Sequence, residues 1–259
     1  MKIRHTVMDY LYRVLMSEFV RPHYRNAPIA EALIDIRVAR PDLVTMEQIT
    51  LAADQLAERF PVRHPMNTIE FGFDFGSNQT NNSQEQTGLR LECENRVLLL
   101  QRIGFTYSHL PPYTNWETLR DEALSCWNVF REATKQSAAS RLAVRVINKI
   151  PTPEAEIALE DYLSVYPVVP TKLPTTAKAA FVQLQMAMSH VIPTAQAILN
   201  IASGHADANG PHLLLDIDLF AAGVVEGDEA IWNTIEKFGI EKDVIFEACI
   251  TDKIREAIQ

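Results

Sequence analysis

The sequence has few cysteines and no apolar run long enough to cross a membrane. Cys93, Cys126 and Cys249 are the three thiols in 259 residues, and they stand far apart without a C-x-x-C pair. This odd, sparse set argues against a disulfide framework and against a zinc site. We therefore expect a reducing, cytoplasmic compartment. Because no uncharged apolar stretch reaches about 18 residues, we expect no membrane-spanning segment.

The amino-terminal segment lacks the uninterrupted apolar core of a signal peptide. Lys2 and Arg4 resemble a basic leader, but Asp9, Arg13 and Glu18 interrupt the apolar residues that follow. We therefore expect no secretory leader at this position.

Signatures of common catalytic sites are also missing from the sequence. It contains no G-x-S-x-G elbow, no P-loop and no G-x-G-x-x-G motif. The run of alternating glutamates ending in lysine, typical of tunnel-like triphosphate phosphohydrolases, is absent as well. No motif therefore indicates a particular reaction.

Positive charge is scarce in the carboxyl-terminal part. The net charge of −9 divides into +1 for residues 1–150 and −10 for residues 151–259. The acidic part disfavours binding to duplex nucleic acid, which depends on neutralising phosphates. The split is typical of a solvated acidic surface, or of a protein whose acidic part meets a basic partner.

What the chain does contain is an ordinary globular composition, with 47% hydrophobic and 22% charged residues. Residues 3–20 follow helical spacing and are followed by Pro22. The apolar stripe of this predicted helix consists of Val7, Leu11, Val14, Leu15 and Phe19. The body of the chain or a protein partner would cover the stripe, and we favour a second copy. A membrane surface is the least favoured alternative because the polar face carries mixed charge.

The remaining pattern predicts an α+β protein with a mostly antiparallel sheet in two meander-plus-helix halves, preceded by the amphipathic helix. Predicted strands cover residues 29–38, 69–75, 88–94, 96–107, 140–150, 179–189, 194–203 and 212–220, with polar loops at 77–86 and 204–211. Predicted helices begin after Thr45, after Thr114 or Asn115, near Ile157, after Gly227 and near Asp243. The helix after Gly227 is expected to stop at Gly239, and the last to run to Ile258.

Five prolines within residues 151–174 suggest a connector. We accordingly predict an extension at 1–22, a first α+β half at 23–150, a connector at 151–178 and a second half at 179–259.

Four segments in order carry a resemblance to a known family. They are NAPIAEA at 26–32, YTNWE at 113–117, RLAVRVIN at 141–148 and FEACITD at 246–252. Together they resemble a sporadically distributed family of functionally uncharacterised bacterial proteins, over about residues 24–257. A patchy distribution often accompanies toxin–antitoxin pairs and phage defence, so the resemblance implies a context of that kind. It implies no catalytic residues.

Asp216 and Asp218 are the candidate metal ligands. Residues two apart on a strand point to the same face, so both carboxylates could meet one divalent cation. The alternative interpretation is the polar outer face of a half-exposed strand.

Arg141, Arg145 and Lys149 form a basic stripe on one face of the strand predicted at 140–150. The stripe could bind a phosphate or nucleotide. Alternatively, Arg145 could pair across the sheet with Asp216 or Asp35.

On balance the sequence favours a non-enzymatic binding or regulatory protein that works through protein–protein contacts, such as an antitoxin, an immunity protein or a phage-defence component. It would need no cofactor, and its partner would be a protein, which includes a second copy of itself. The alternative is a metal-dependent phosphoryl or nucleotide-processing enzyme that uses Asp216, Asp218 and Arg145 with a divalent metal.

Overall fold

A computed structural model describes residues 21–74, 79–168, 170, 172 and 178–259. The predicted first helix at residues 3–20, with its interface stripe of Val7, Leu11, Val14, Leu15 and Phe19, lies outside these residues. Its structure and its role in assembly therefore stay predictions.

The described chain mixes helices with a mostly antiparallel sheet, which confirms the predicted α+β class. The strands are β1 (Ile29–Val38), β2 (Val62–Asp74), β3 (Gln79–Cys93), β4 (Arg96–Gln101), β5 (Gly104–His109), β6 (Ala138–Pro151), β7 (Phe181–Ala187), β8 (Ala195–Asp207) and β9 (Gly210–Glu226). The helices are α1 (Met46–Gln55), α2 (Trp116–Thr134), α3 (Asp228–Cys249) and α4 (Asp252–Ile258).

The fold divides into two compact units, and neither is continuous in sequence. Unit I contains residues 21–30, Ala143–Ala222 and Asn233–Gln259, and unit II contains Glu31–Leu142 and Gly223–Trp232. β6, β9 and α3 each contribute residues to both units.

Unit II is an antiparallel sheet in the order β2-β3-β4-β5-β1, with α1 and α2 packed against it. Thr45 caps α1 through a capping box with Gln48, and the Asn115 side chain caps α2 by accepting from the Thr118 N–H at 2.7 Å. Both caps agree with the sequence prediction. The inner face of α2 places Trp127 and Phe130 against Phe105 of β5, with ring centroids 5.8 and 6.1 Å apart.

Unit I has strands in the order β6-β9-β8-β7. Along β8 and β9, buried residues alternate with more exposed ones, so one face forms a core and the other stays open. The core face is mostly apolar in these strands and includes Leu199, Ile201, Leu215, Ile217 and Leu219, with Ser203 as a buried polar residue of β8. On the open face lie Asn200 and Asp216.

Three predicted loops or strands differ from the structure: at two of them backbone pairing extends into polar residues, and at the third a turn interrupts an apolar run. Residues 79–86, predicted as a loop, belong to β3 and pair with β2 from Asn67↔Gln86 to Asp74↔Gln79. The predicted strand 96–107 turns at residues 102 and 103 and becomes β4 and β5. The predicted loop 204–211 is mostly the hairpin of β8 and β9, whose turn occupies residues 208 and 209.

Three predicted helix boundaries are also wrong. Gly239 does not stop α3, since this buried glycine lies inside a helix that continues to Cys249. The helix predicted to begin near Asp243 is instead the end of α3 followed by α4, separated where Ile250 forms a β-bridge with Leu163. The short helix predicted near Ile157 is reduced to a 3-10 turn at Leu159–Asp161.

Among the described residues, no helix is both long and apolar enough to cross a membrane.

Gly104 occupies a position in unit II that has no room for a side chain. Its φ is +154°, and an added Cβ would lie 2.2 Å from the carbonyl oxygen of Ile36. We expect Gly104→Ala to destabilise the protein more than Gly210→Ala, whose φ of +100° carries strain but whose Cβ would meet nothing within 4 Å. Backbone strain should cost about 1–3 kcal/mol in both variants, and overpacking should add about 1–3 kcal/mol in Gly104→Ala. Urea unfolding of both variants measures the difference, and equal losses would contradict the close approach of β5 to β1.

Candidate functional site

Arg141, the first residue of the predicted basic stripe, forms an ion pair with Asp35 within unit II. Its Nη1 donates to Asp35 Oδ1 at 3.0 Å, and Arg37 Nε donates to the same oxygen at 3.0 Å. Thr106 Oγ1 donates to the other oxygen, Asp35 Oδ2, at 2.8 Å. Asp35 is 5% exposed, so these donors replace the water that the carboxylate would otherwise bind.

Arg145 makes the ion pair with Asp216 that the sequence analysis weighed against anion binding. Its Nε and Nη2 donate to the two carboxylate oxygens of Asp216, each at 2.8 Å. This bidentate geometry is the strongest form of an arginine–carboxylate contact. The Arg145 side chain is 41% exposed, whereas that of Asp216 is 11% exposed, so the arginine covers a nearly buried acid.

A chain of side-chain hydrogen bonds continues from this ion pair across the open face of unit I. Asn200 Nδ2 on β8 donates to Asp216 Oδ2 at 3.0 Å, and Gln183 Nε2 on β7 donates to Asn200 Oδ1 at 2.7 Å. We call Arg145, Asp216, Asn200 and Gln183 the polar ladder, since one residue comes from each of β6, β9, β8 and β7. Its members are separated in sequence but adjacent in the sheet.

The third basic residue, Lys149, pairs with Asp207 at the end of β8. The hydrogen bond from Lys149 lowers the pKa of the exposed Asp207 carboxyl. The three cations of the predicted stripe therefore contact three different carboxylates and do not converge on one point. Each cation forms an ion pair within the fold, and this arrangement gives no support to a phosphate site.

Asp218 lies two residues beyond Asp216 on the same face of β9, as the strand period requires. Asp218 is half-buried, and both oxygens of Asp216 already accept hydrogen bonds from Arg145 or Asn200. Within the described ranges, no group of three or more His, Cys, Asp or Glu side chains has the arrangement of a metal site. Binding of a cation by Asp216 and Asp218 stays a prediction.

A shallow groove of about 360 Å³ lies over the polar ladder in unit I. Its lining combines the four ladder residues with four apolar residues, which are Ile147, Phe181, Ala202 and Leu214. Phe181 is the most exposed of them, at 69%. An exposed aromatic ring beside ordered polar groups is typical of a binding surface for another protein.

Unit II contains a polar cluster that the sequence analysis missed. Arg96 Nε and Nη2 each donate to Glu122 at 2.8 Å, and Tyr107 Oη donates to Glu122 Oε2 at 2.5 Å. His109 is fully buried, with Nε2 at 3.4 Å from the same carboxylate oxygen. The residues come from β4, β5 and α2, so no local sequence motif could reveal the cluster. The one indication in the sequence is that Glu122 stands beside the apolar stripe of its helix.

Burial controls the protonation of this cluster. Burial raises the pKa of Tyr107 and lowers that of His109, so the phenol stays protonated and the imidazole neutral. Burial also raises the pKa of Glu122, but hydrogen bonds from Arg96 and Tyr107 outweigh it and the net pKa is lowered. A fully buried neutral histidine beside an arginine-bound glutamate is typical of a structural network.

Comparison of the chain with protein-family models gives no match, and comparison with curated proteins gives no similar sequence. The family resemblance of the four motifs therefore stays a prediction.

The ion pair between Arg145 and Asp216 can be tested by removing its cation. We expect Arg145→Met to lower the free energy of unfolding by about 1–3 kcal/mol, because a hydrogen-bonded acid that is nearly buried loses its charged donor. The matched control is Arg90→Met, since Arg90 and Glu92 form a 2.6 Å pair with side chains 43% and 35% exposed. The control should cost at most about 1 kcal/mol. Denaturant unfolding measures both, and a double variant with Asp216→Asn should recover part of the loss.

The buried carboxyl group of Glu241 on α3 is the group from which we expect a pH-dependent stability of the protein. It is 2% exposed, its Oε1 is 3.2 Å from His190 Nε2, and burial raises its pKa to about 7. Because the folded state holds this proton more tightly than the unfolded state, stability is lost as pH rises from about 4.5 to about 7.

We therefore expect Glu241→Gln to gain stability relative to the wild-type protein across that pH range, by about 1–3 kcal/mol at pH 7 and above. Thermal unfolding at a series of pH values measures the gain, with Glu229→Gln at an exposed position as the control. A Glu241→Gln protein that becomes relatively weaker as pH rises would show that pairing with His190 outweighs burial.

Proposed function

We propose that this chain is a non-enzymatic binding protein that acts through protein–protein contacts on the open face of unit I. The observation that carries the proposal is the groove over the polar ladder, where the exposed ring of Phe181 lies beside Ile147 and Leu214. Aromatic residues are enriched in the cores of protein–protein interfaces, so a partner would cover the exposed ring of Phe181 there. The polar ladder beside it supplies ordered hydrogen-bonding groups for the rim of an interface.

The charge distribution supports a basic partner. Unit I, as divided above, holds 10 Lys or Arg against 13 Asp or Glu, a net charge of −3, and the cations Arg145 and Lys149 on its open side are paired with Asp216 and Asp207. A partner with an apolar side chain surrounded by Lys or Arg would complement both the groove and the charge.

Pairing of the chemically active side chains also favours binding over catalysis. An enzyme of the alternative class would need Arg145 for phosphate and Asp216 for metal, yet these two groups are engaged with each other. With the context implied by the four motifs, the function we propose is that of an antitoxin, an immunity protein or a phage-defence component.

The binding experiment uses the purified full-length chain and the purified products of its neighbouring genes, with isothermal titration calorimetry as the measurement. We expect one of these proteins to bind, Phe181→Ser to weaken binding at least about tenfold, and affinity to fall with added salt. The control is Val224→Ser, since Val224 is 68% exposed but belongs to unit II. Equal effects of the two substitutions would contradict the groove as the binding surface.

The same preparation tests the enzymatic alternative. Nucleotides are supplied with Mg²⁺ or Mn²⁺, and turnover by wild-type protein is compared with that of Asp216→Ala. Turnover that disappears in Asp216→Ala would overturn the non-enzymatic proposal.

A further inference from the structure

The edge strand of unit I lacks the features that normally prevent edge-to-edge pairing. β7 is the last strand in the order β6-β9-β8-β7, and no further strand of the described chain flanks it. Its seven residues, FVQLQMA, contain no charged residue and no proline, and its pairing with β8 is regular. Exposed edges in proteins that stay monomeric usually carry charges, prolines or bulges.

Hydrogen bonds at the two ends of β7 show which backbone groups point away from β8. The Ser203 N–H donates to the Ala180 carbonyl at 2.9 Å, and the Met188 N–H donates to the Ala195 carbonyl at 2.9 Å. Because these pairs alternate along an antiparallel ladder, even-numbered residues of β7 bond to β8. The outward N–H and C=O groups therefore belong to four residues, which are Phe181, Gln183, Gln185 and Ala187.

We propose that two copies of this chain pair through β7, antiparallel, with Leu184 opposite Leu184 of the second copy. This register places Gln183 opposite Gln185 and Phe181 opposite Ala187 of the second copy. All four outward-facing residues then meet another outward-facing residue, so each pair can exchange two backbone hydrogen bonds. The two-fold axis passes between the Leu184 residues, as a symmetric dimer requires.

Side chains in this register are complementary as well. On the open face, Gln183 and Gln185 bring amides together, and the large ring of Phe181 faces the small side chain of Ala187. On the other face, Val182 lies opposite Met186 of the second copy. The sequence of β7 reads nearly the same in polarity in both directions, which is what self-pairing needs.

The absence of charge on β7 permits a second copy to pair at this edge. Two molecules that each carry −9 repel one another over most of their surfaces. β7 is an uncharged segment within the acidic part, so two copies can approach there without placing like charges opposite each other. A partner strand rich in Lys or Arg would find no acidic side chain on β7 to pair with.

The main test uses paired charges to verify both the dimer and its register. By sedimentation equilibrium we expect the full-length protein to have twice the chain mass of 29.2 kDa. Gln183→Lys with Gln185→Lys places Lys opposite Lys and should weaken the dimer at least about tenfold. Gln183→Lys with Gln185→Glu places Lys opposite Glu twice and should keep the dimer. Circular dichroism confirms that both variants are folded.

A cross-linking experiment tests the position of the two-fold axis. Leu184→Cys places two thiols opposite each other and should give an intermolecular disulfide under mild oxidation. Val182→Cys is the matched control, since it lies on the same face but opposite Met186 and should not cross-link to itself.

A monomeric wild-type protein, a dimer unaffected by paired lysines, or equal cross-linking of the two cysteine variants would each overturn the proposal. The second of these results would assign the dimer to another surface, such as residues 3–20. Dimer mass is measured without any partner protein, so this inference and the proposed binding function can fail separately.

Discussion

Each unit buries a carboxylate on its sheet, Asp35 in unit II and Asp216 in unit I, and the polar contacts of both sheets depend on stabilising these charges. A buried carboxylate is tolerated when charged or polar donors replace its hydration. Asp35 receives Arg37, Arg141 and Thr106, and Asp216 receives Arg145 and Asn200. The arginines that were candidates for ligand binding, Arg141 and Arg145, thereby hold buried carboxylates within the fold.

The polar ladder shows how such pairing shapes a surface. Arg145 orders Asp216, Asp216 orders Asn200, and Asn200 orders Gln183, so four strands present one connected set of side chains. Networks of this kind hold their members in fixed positions. In the proposed function, this connected polar row and the exposed ring of Phe181 lie together in the interface with a protein partner.

β7 contributes in two ways, through the side chains on its open face and through the backbone at its outer edge. Phe181 and Gln183 contribute to the groove on the open face, while the backbone at the outer edge carries hydrogen-bonding groups without partners on the described chain. The edge pairs through these backbone groups, whereas the side chains of Phe181 and Gln183 on the open face border both the groove and the proposed contact with the second copy.

Local patterns in the sequence determined the α+β class, most strands and the caps at Thr45 and Asn115, because strand period and capping depend on residues close in the chain. The sequence did not predict that residues 79–86 belong to β3, because this segment has no apolar pattern and pairs with β2 through its backbone. Arg145 and Asp216 were both identified from the sequence as candidate ligand-binding residues, and a cross-strand ion pair of Arg145 with Asp216 or Asp35 was the alternative.

Only the tertiary structure decided that Arg145 and Asp216 bind one another, and only it gathered Arg96, Tyr107, His109 and Glu122 into one cluster. The physical reason is that a strand's sequence specifies which face each side chain takes, whereas strand order and register decide which residue of a distant strand lies beside it.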